Sequence, residues 1–286
     1  MAKVALKSSR KWLYLLVPRA GALIFGSGYF LGGMGYGIWA GHWPKPLPLL
    51  LALLGLEFFV NQSKYLLNDL RDRGSDSSHP LKRARPTASG AVSPREALAV
   101  ASVRAALGLL ILGLLDWRLL LLGISLLCVQ MVYDFLAKPV PVLNVLVISS
   151  GCLLRFASGA LATTGSIPPP LILSLPFLFR LVVCINTHTL EGLYLRRAGR
   201  LGAKPHLAFY VNHPNLRRWA VLPFACACFL TLFKYADPTG PLIVATLASL
   251  AVFYYKVNGP SDGVRWRRWR KAARSALKRV EGASGQ

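Results

Sequence analysis

Acidic residues are scarce in this sequence of 286 residues: 11 Asp and Glu stand against 34 Lys and Arg, and only 16% of residues are charged. Soluble domains carry about 25% charged residues. The hydrophobic fraction of 54% and the mean hydropathy of +0.45 therefore exclude an ordinary soluble domain and predict a membrane protein. The net charge of +23 would suggest nucleic-acid binding in a soluble chain, but the long apolar runs argue for a membrane and against nucleic acid.

Cysteine is also rare, and its pattern excludes a disulfide scaffold. The five cysteines lie in apolar stretches without a CxxC pair. We interpret them as buried thiols.

Long apolar segments dominate the chain. A spanning helix needs about 20 mostly apolar residues, and eight segments meet or approach that length. We therefore predict an all-α, multi-pass transmembrane helical bundle with about eight spans, at 20–41, 46–63, 97–115, 119–137, 141–164, 169–187, 219–235 and 239–256. The glycine-rich segment 26–37 of the first span predicts close helix packing.

The basic residues predict the orientation. When the spans alternate, 28 of the 34 Lys and Arg fall on one side of the membrane, as expected for the cytoplasmic side. We expect a cell (inner) membrane protein with both termini and the active site in the cytoplasm. The predicted domains are a basic interfacial arm at 1–19, a transmembrane domain at 20–258 and a basic amphipathic tail at 259–286.

The scarce acids concentrate at the cytoplasmic end of the second span. A helix advances 100° per residue. On such a helix, six polar residues fall within an arc of about 100° around the axis and form a polar stripe: Glu57, Asn61, Tyr65, Asn68, Asp72 and Asp76. A polar stripe in a membrane helix faces the bundle interior or a wet cavity, where it indicates function.

The chemistry of this region fits a metal and phosphate. Carboxylates three or four residues apart offer the oxygen ligands that a hard divalent cation takes. The following stretch, 77–90, adds Lys, Arg and small hydroxyls suited to phosphate. The alternative is a solvated juxtamembrane loop with balanced charges.

A second polar group begins at Tyr133 and Lys138 and continues into the fifth span at Arg155. An arginine inside a span needs an anionic partner. Arg155 either pairs with Glu57 or binds a substrate phosphate, and the sequence leaves both interpretations open. Lys138 either snorkels to the membrane surface or joins the acidic region.

These motifs resemble the UbiA superfamily of intramembrane prenyltransferases. The first signature, NDxxDxxxD, reads Asn68, Asp69, Asp72, Asp76, and HPxKxxRPxASG follows from His79 to Gly90. The Tyr133 to Lys138 spacing, the PVPVLN segment and Arg155-Phe156-Ala157-Ser158-Gly159-Ala160 are most similar to the decaprenyl-phosphate phosphoribosyltransferase branch.

The resemblance implies a helical bundle with a cavity open to the cytoplasm and the membrane, Mg²⁺ as cofactor, a phosphorylated donor and a polyprenyl lipid substrate. It implies metal ligation by Asn68, Asp72 and Asp76. It implies catalytic roles for Asp69, Asp72 and Lys138. It implies substrate binding by Asn61, Lys64, Tyr65, Lys82, Arg85, Tyr133, Arg155 and Glu191.

The expected function is phosphoribosyl transfer from phosphoribosyl diphosphate to a polyprenyl phosphate. The alternatives are prenyl transfer to an aromatic or lipid acceptor, and a non-catalytic paralogue that binds lipid phosphates. The second signature, expected in a loop after the sixth span, reads Asn186 to Gly192 and holds one acid, Glu191. Asn144 stands where the family often has aspartate, and nine spans are usual in the family.

Overall fold

The computed structural model describes residues 11–78, 82–197, 199–213 and 215–235, and the regular structure within these ranges is entirely helical. A short helical segment at 11–16 precedes nine helices. They are α1 (Ala20–Trp39), α2 (Pro46–Arg71), α3 (Arg73–Ser77), α4 (Pro94–Leu115), α5 (Trp117–Ala137), α6 (Leu143–Thr164), α7 (Pro170–Arg197), α8 (Leu207–Asn212) and α9 (Leu216–Lys234).

Five of these helices, α2 and α4 to α7, are long and apolar enough to cross a membrane. They match the second to sixth predicted spans, so the all-α, multi-pass fold class is confirmed. α1 and α9 match the first and seventh predicted spans as helices but are not among the five. The eighth predicted span, 239–256, and the tail, 259–286, lie outside the described residues, and the count of eight is not confirmed.

Local sequence determines where several helices begin and end. Pro46 and Pro94 stand in the first turns of α2 and α4, where a proline loses no helical hydrogen bond. Ser93 and Glu96 form a capping box at the start of α4, and each satisfies a backbone N–H of the other. Gly165 ends α6 at a φ of 71°, a left-handed conformation that glycine adopts without strain.

α1 and α6 pack with their backbones in close contact. A Cβ placed on Gly33 would collide with the carbonyl oxygen of Phe156, and one placed on Gly159 would collide with that of Phe30. Glycine permits this approach in a membrane bundle because it leaves the helix surface flat. The close packing predicted from the glycine-rich segment is confirmed.

Two π-helical segments interrupt the long helices, Leu54–Val60 within α2 and Tyr133–Ala137 at the end of α5. A π turn holds more residues than an α turn and changes which residues share a face. The predicted spacing of 100° per residue is therefore wrong within Leu54–Val60, although Glu57 and Asn61 still hydrogen-bond across it at 2.9 Å.

α7 is longer than its predicted span, 169–187. It continues to Arg197, so the prediction that Asn186 to Gly192 form a loop is wrong. The extension is helical because Leu190, Tyr194 and Leu195 stay at helical spacing and are buried in one apolar cluster with Leu207 and Tyr210 of α8.

Candidate active site

The acidic motif lies where α2 ends and α3 begins. Asp72 joins the two helices, and its carbonyl oxygen accepts a hydrogen bond of 2.8 Å from the backbone N–H of Asp76. The turn therefore remains nearly helical, and the polar stripe continues across it. Four motif side chains are buried: Asn68, Asp69, Asp72 and Asp76.

Asp69 is held by three side chains. Its Oδ1 accepts hydrogen bonds from Arg19 at 2.5 Å and from Arg85 at 2.9 Å. Its Oδ2 accepts one from the Tyr14 hydroxyl at 2.9 Å. Burial, reinforced by the Asp69 charge, raises the pKa of Tyr14, so the phenol stays protonated and donates. Both carboxylate oxygens of Asp69 are thus occupied, which suits a residue that orients its neighbours.

Asp72 and Asp76 each have one carboxylate oxygen that can accept a further hydrogen bond or bind a ligand. Lys138 donates to Asp72 Oδ1, whereas Asp72 Oδ2 has only a 3.5 Å contact with Asn68 Nδ2. Arg85 donates to Asp76 Oδ2 at 2.6 Å. Asp76 Oδ1 is buried and has no hydrogen-bond partner among the described residues. A buried carboxylate oxygen without a partner is costly, and a ligand would satisfy it.

The charge on Asp72 is favoured by its surroundings. Burial would raise its pKa, but the charge and hydrogen bond of Lys138, together with the charges of Lys204 and Lys82, lower the pKa below its usual value. Asp72 is therefore ionised at neutral pH and available as a cation ligand.

α5 contributes a carboxylate that sequence reasoning missed. Asp134, on the π segment, accepts hydrogen bonds of 2.8 Å from Asn68 and from Gln130. The Asn68 amide thus donates to Asp134, while its oxygen accepts from Arg19 at 3.1 Å. The available signal was the place of Asp134 beside Tyr133 in the second polar group.

The predicted second-signature acid, Glu191, reaches the same region. Its Oε1 lies 2.5 Å from Lys82 Nζ and 3.4 Å from Lys204 Nζ. Burial and the Lys204 charge lower the pKa of Lys82 to about 8. Burial opposes the charge of Lys204, but Glu191 raises its pKa above the usual value. Sequence reasoning missed Lys204, which stands in a loop without a recognised motif.

A turn held by side-chain hydrogen bonds positions Lys138. The Tyr210 hydroxyl accepts a hydrogen bond of 2.9 Å from the backbone N–H of Val142, whose φ of 67° is unusual for a β-branched residue. The same hydroxyl donates to Asn144 Oδ1 at 2.5 Å, and Asn144 Nδ2 donates to the Lys138 carbonyl at 3.3 Å. Asn144 therefore stabilises the turn that carries Lys138.

The two predicted tyrosines lie against cations. The Lys138 ammonium lies 5.8 Å from the ring centre of Tyr133, which is buried. The Tyr65 ring lies 4.8 Å from the Arg19 guanidinium carbon and 5.3 Å from Lys64 Nζ. These distances are within the range of cation–π attraction.

Arg155 lies deeper in the bundle and pairs with a carboxylate. Its guanidinium makes two hydrogen bonds to Glu57, one of them 2.6 Å long from Nε. Asn61 donates to the same carboxylate at 2.9 Å, and the side chains of Arg155 and Glu57 are only 4% and 1% exposed. Of the two interpretations left open for Arg155, the structure has the pairing with Glu57.

The charges of the site balance before any ligand is added. Five carboxylates and five cations meet at this end of the bundle: Asp69, Asp72, Asp76, Asp134 and Glu191 with Arg19, Lys82, Arg85, Lys138 and Lys204. Among the described residues, no three His, Cys, Asp or Glu side chains are gathered closely enough to hold a metal ion. The donor set nevertheless fits a hard divalent cation, since Asp72 and Asp76 offer oxygens that no cation fully uses.

Solved structures show the fold. A UbiA homologue from Archaeoglobus fulgidus matches with a TM-score of 0.68 at 20% identity, covering 91% of this chain and 94% of that chain. The same homologue bound to DMAPP and Mg²⁺ matches with a TM-score of 0.66 at 18% identity, covering 91% and 94%. At this identity the likeness establishes the UbiA fold alone.

Curated relatives match over part of their length. A decaprenyl-phosphate phosphoribosyltransferase of Mycolicibacterium smegmatis is 38% identical over 100 residues, which are 35% of this chain and 31% of the relative. A 4-hydroxybenzoate octaprenyltransferase of Nitrosomonas eutropha is 31% identical over 140 residues, 47% of each protein. The match thus spans about a third to a half of these relatives.

The family comparison covers most of the chain. The model of the UbiA prenyltransferase family matches residues 28–276, a range that includes the acidic motif, the Tyr133 to Lys138 segment and Glu191. Together with five helices that could span a bilayer, this match identifies the chain as an integral membrane protein and, at the level of the family, as a UbiA-type transferase. The chain belongs to the UbiA prenyltransferase family.

Proposed function

We propose that this protein is a Mg²⁺-dependent transferase that moves the phosphoribosyl group of phosphoribosyl diphosphate to a polyprenyl phosphate, at the cytoplasmic face of the cell (inner) membrane. The observation that carries the proposal is the pair of underused carboxylate oxygens, on Asp72 and Asp76, beside lysines and arginines. A neutral cluster that gains a divalent cation acquires two positive charges, which an anionic ligand such as a diphosphate would offset.

Asn68, Asp72 and Asp76 would hold the metal, which supplies Lewis-acid neutralisation of the departing diphosphate. Lys138 and Arg85 each bind a motif carboxylate in the absence of ligand. With a divalent cation held by the unused oxygens of Asp72 and Asp76, these carboxylates would need Lys138 and Arg85 less, and the two cations would be available for phosphate. Asp69, fixed by Tyr14 and Arg19, keeps the end of α2 in place.

The residues around Glu191 favour a phosphoribosyl donor over an isoprenyl donor. A second metal site would need several acids, but the second signature holds one carboxylate, and two lysines lie within 3.4 Å of it. Lys82 and Lys204 therefore suit a second anionic group of the donor. The name of the relative from Mycolicibacterium smegmatis supports the same choice.

A transfer assay tests this function. The full-length protein in nanodiscs is incubated with Mg²⁺, polyprenyl phosphate and either labelled phosphoribosyl diphosphate or labelled isoprenyl diphosphate, with 4-hydroxybenzoate as an additional acceptor. We expect label from the first donor in the lipid extract as an acid-labile sugar phosphate. Transfer only from the isoprenyl donor would replace the proposal with prenyl transfer.

Two variants calibrate the assay. Asp76→Asn should remove Mg²⁺-dependent transfer, whereas Asp116→Asn, which changes a carboxylate paired with Arg118 at the opposite end of the bundle, should keep it. Binding of both substrates without any product would favour the non-catalytic paralogue.

A further inference from the structure

Two cations inside the bundle, Lys64 of α2 and Arg180 of α7, lack an ion-pair partner. Lys64 is 8% exposed, and no carboxylate of the described residues lies within ion-pair distance of it. Arg180 is partly exposed and likewise has no ion pair in the described part of the chain, and its Nε is buried without a hydrogen bond. Lys64 lies one helical turn inward of Asn68, and Arg180 lies three turns inward of Glu191.

The acidic residues of the described chain are all engaged elsewhere. Glu57 is in electrostatic range of Lys64, but Arg155 and Asn61 already bind its two oxygens. The other described acids have the partners given above or, for Glu96, Lys11 at 2.6 Å. The protein therefore offers these two cations no anion of its own within the described residues.

The two cations share neutral polar neighbours, and the charged neighbours of Lys64 are Arg155 and Glu57, which pair with each other. Tyr65 and Cys152 are electrostatic neighbours of both Lys64 and Arg180. Tyr29 and Cys184 adjoin Arg180. Gly151 faces the Lys64 ammonium, which lies 3.8 Å from the point where a Cβ would stand. Hydroxyls and thiols of this kind accept or donate hydrogen bonds without adding charge.

Uncompensated charge in a membrane interior is unfavourable, and ionisable residues there mark ligand sites. Hydrocarbon would leave both cations unpaired, so an isoprenoid chain would be a poor neighbour for these two residues. A phosphate monoester carries up to two negative charges near neutral pH and three acceptor oxygens, which matches two cations and the neighbouring hydroxyls.

We propose that Lys64 and Arg180 form an interior binding site for a phosphate monoester, separate from the acidic motif. This inference rests on the proposed function, because both substrates of that reaction carry such a group: the phosphate of the polyprenyl lipid and the terminal phosphate of the donor sugar. The site would admit anionic substrates and disfavour an isoprenyl diphosphate, whose chain would meet the two charges.

Binding without turnover tests the site. The full chain in nanodiscs, without Mg²⁺, is titrated with farnesyl phosphate, with ribose 5-phosphate and with farnesol, and the thermal unfolding midpoint is followed. We expect one phosphate monoester to raise the midpoint and farnesol not to. Lys64→Met and Arg180→Met should each weaken the binding of that phosphate at least about tenfold, because each removes a charge-assisted hydrogen bond.

Matched variants separate binding from folding. Lys45→Met and Arg118→Met remove exposed or half-exposed cations at the other end of the bundle and should leave binding unchanged. Lys64→Arg and Arg180→Lys keep the charge and should retain most of the binding. Without ligand, Lys64→Met should unfold at the same or a higher temperature than the unchanged protein, since it removes an uncompensated buried charge.

The outcomes are distinct. Loss of farnesyl phosphate binding alone assigns the site to the lipid acceptor, and loss of ribose 5-phosphate binding alone assigns it to the donor. Equal binding in Lys64→Met, Arg180→Met and the unchanged protein, or no binding of either phosphate, would overturn the site. Because the measurement needs neither metal nor transfer, it can fail while the transfer assay succeeds, and it can succeed while transfer fails.

Discussion

The Glu57–Arg155 pair and the cluster around Asp69, Asp72 and Asp76 are both built from opposite charges, but they differ in access. Arg155 and Glu57 are 4% and 1% exposed, whereas Lys138 beside Asp72 is 16% exposed and Arg85 beside Asp76 is 26% exposed. In the interior pair, each charge depends on the other because water cannot replace it. In the proposed function, the cations of the cluster leave their carboxylates when a metal and a phosphate bind. Similar chemistry would then stabilise the bundle at one depth and bind ligands at another.

The largest expected effect is a loss of transfer activity caused by a substitution in the cluster around Asp69, Asp72 and Asp76. Asp72→Asn should lower Mg²⁺-dependent transfer at least about 100-fold, because the amide replaces a charged metal ligand, while the unfolding midpoint changes little. Initial rates at several Mg²⁺ concentrations, with Asp116→Asn as the control carboxylate, measure this loss. Unchanged activity would remove Asp72 from the metal site.

A substitution in the Glu57–Arg155 pair should change the stability of the bundle. Glu57→Gln leaves Arg155 buried without a counter-charge and should destabilise the bundle by about 3 kcal/mol. Reversible unfolding in mixed detergent measures this change. Glu57→Gln with Arg155→Met should recover most of the stability, since no unpaired charge remains. A destabilisation equal in the single and double variants would show that the pair does not act as a unit.

The pH dependence should separate the two regions further. In the proposed function Lys82, with its pKa lowered to about 8 by burial and the Lys204 charge, would bind phosphate only when protonated. The ratio kcat/KM for the donor should therefore be constant below pH 8 and fall as pH rises through it. Lys82→Arg should move that fall to higher pH, because a guanidinium stays charged, and Lys45→Arg should not. A profile identical in Lys82→Arg would exclude Lys82 as the titrating group.

The smallest effect should come from the turn that carries Lys138. Tyr210→Phe removes hydrogen bonds to Val142 and Asn144 and should cost about 1–2 kcal/mol of stability and a few-fold in transfer rate. Thermal unfolding and initial rates measure the two changes. A change in rate as large as that of Asp72→Asn would mean that Tyr210 takes part in the chemistry.

Sequence reasoning predicted much of this arrangement. The acidic motif, with Lys82, Arg85 and Lys138, comes together at one end of the bundle as expected. The prediction worked because these acids are few, share one helix face and carry a motif. Their roles in metal and substrate binding stay predictions.

Other parts of the site could not be predicted from the helical pattern of the sequence. Tyr14, Arg19 and Lys204 reach the cluster from segments distant in sequence, and only tertiary structure brings them there. The extension of α7 through Glu191 was missed because a polar stretch was taken for a loop, although apolar residues continue at helical spacing. The partner of Arg155 could not be assigned from the sequence, because a carboxylate and a phosphate can each neutralise a buried arginine.

The π segment Leu54–Val60 is followed by a regular α-helix, Asn61–Arg71, that carries the start of the acidic motif. A π turn absorbs an extra residue locally, but one residue more or less in a regular α-helix turns everything beyond it by about 100°. A single deletion between Asn61 and Leu67 would therefore rotate Asn68, Asp69 and Asp72 away from Arg19, Arg85 and Lys138, without altering any of these side chains. The direction in which the motif side chains face therefore depends on the number of residues that precede them in the helix, as much as on the residues that form the motif.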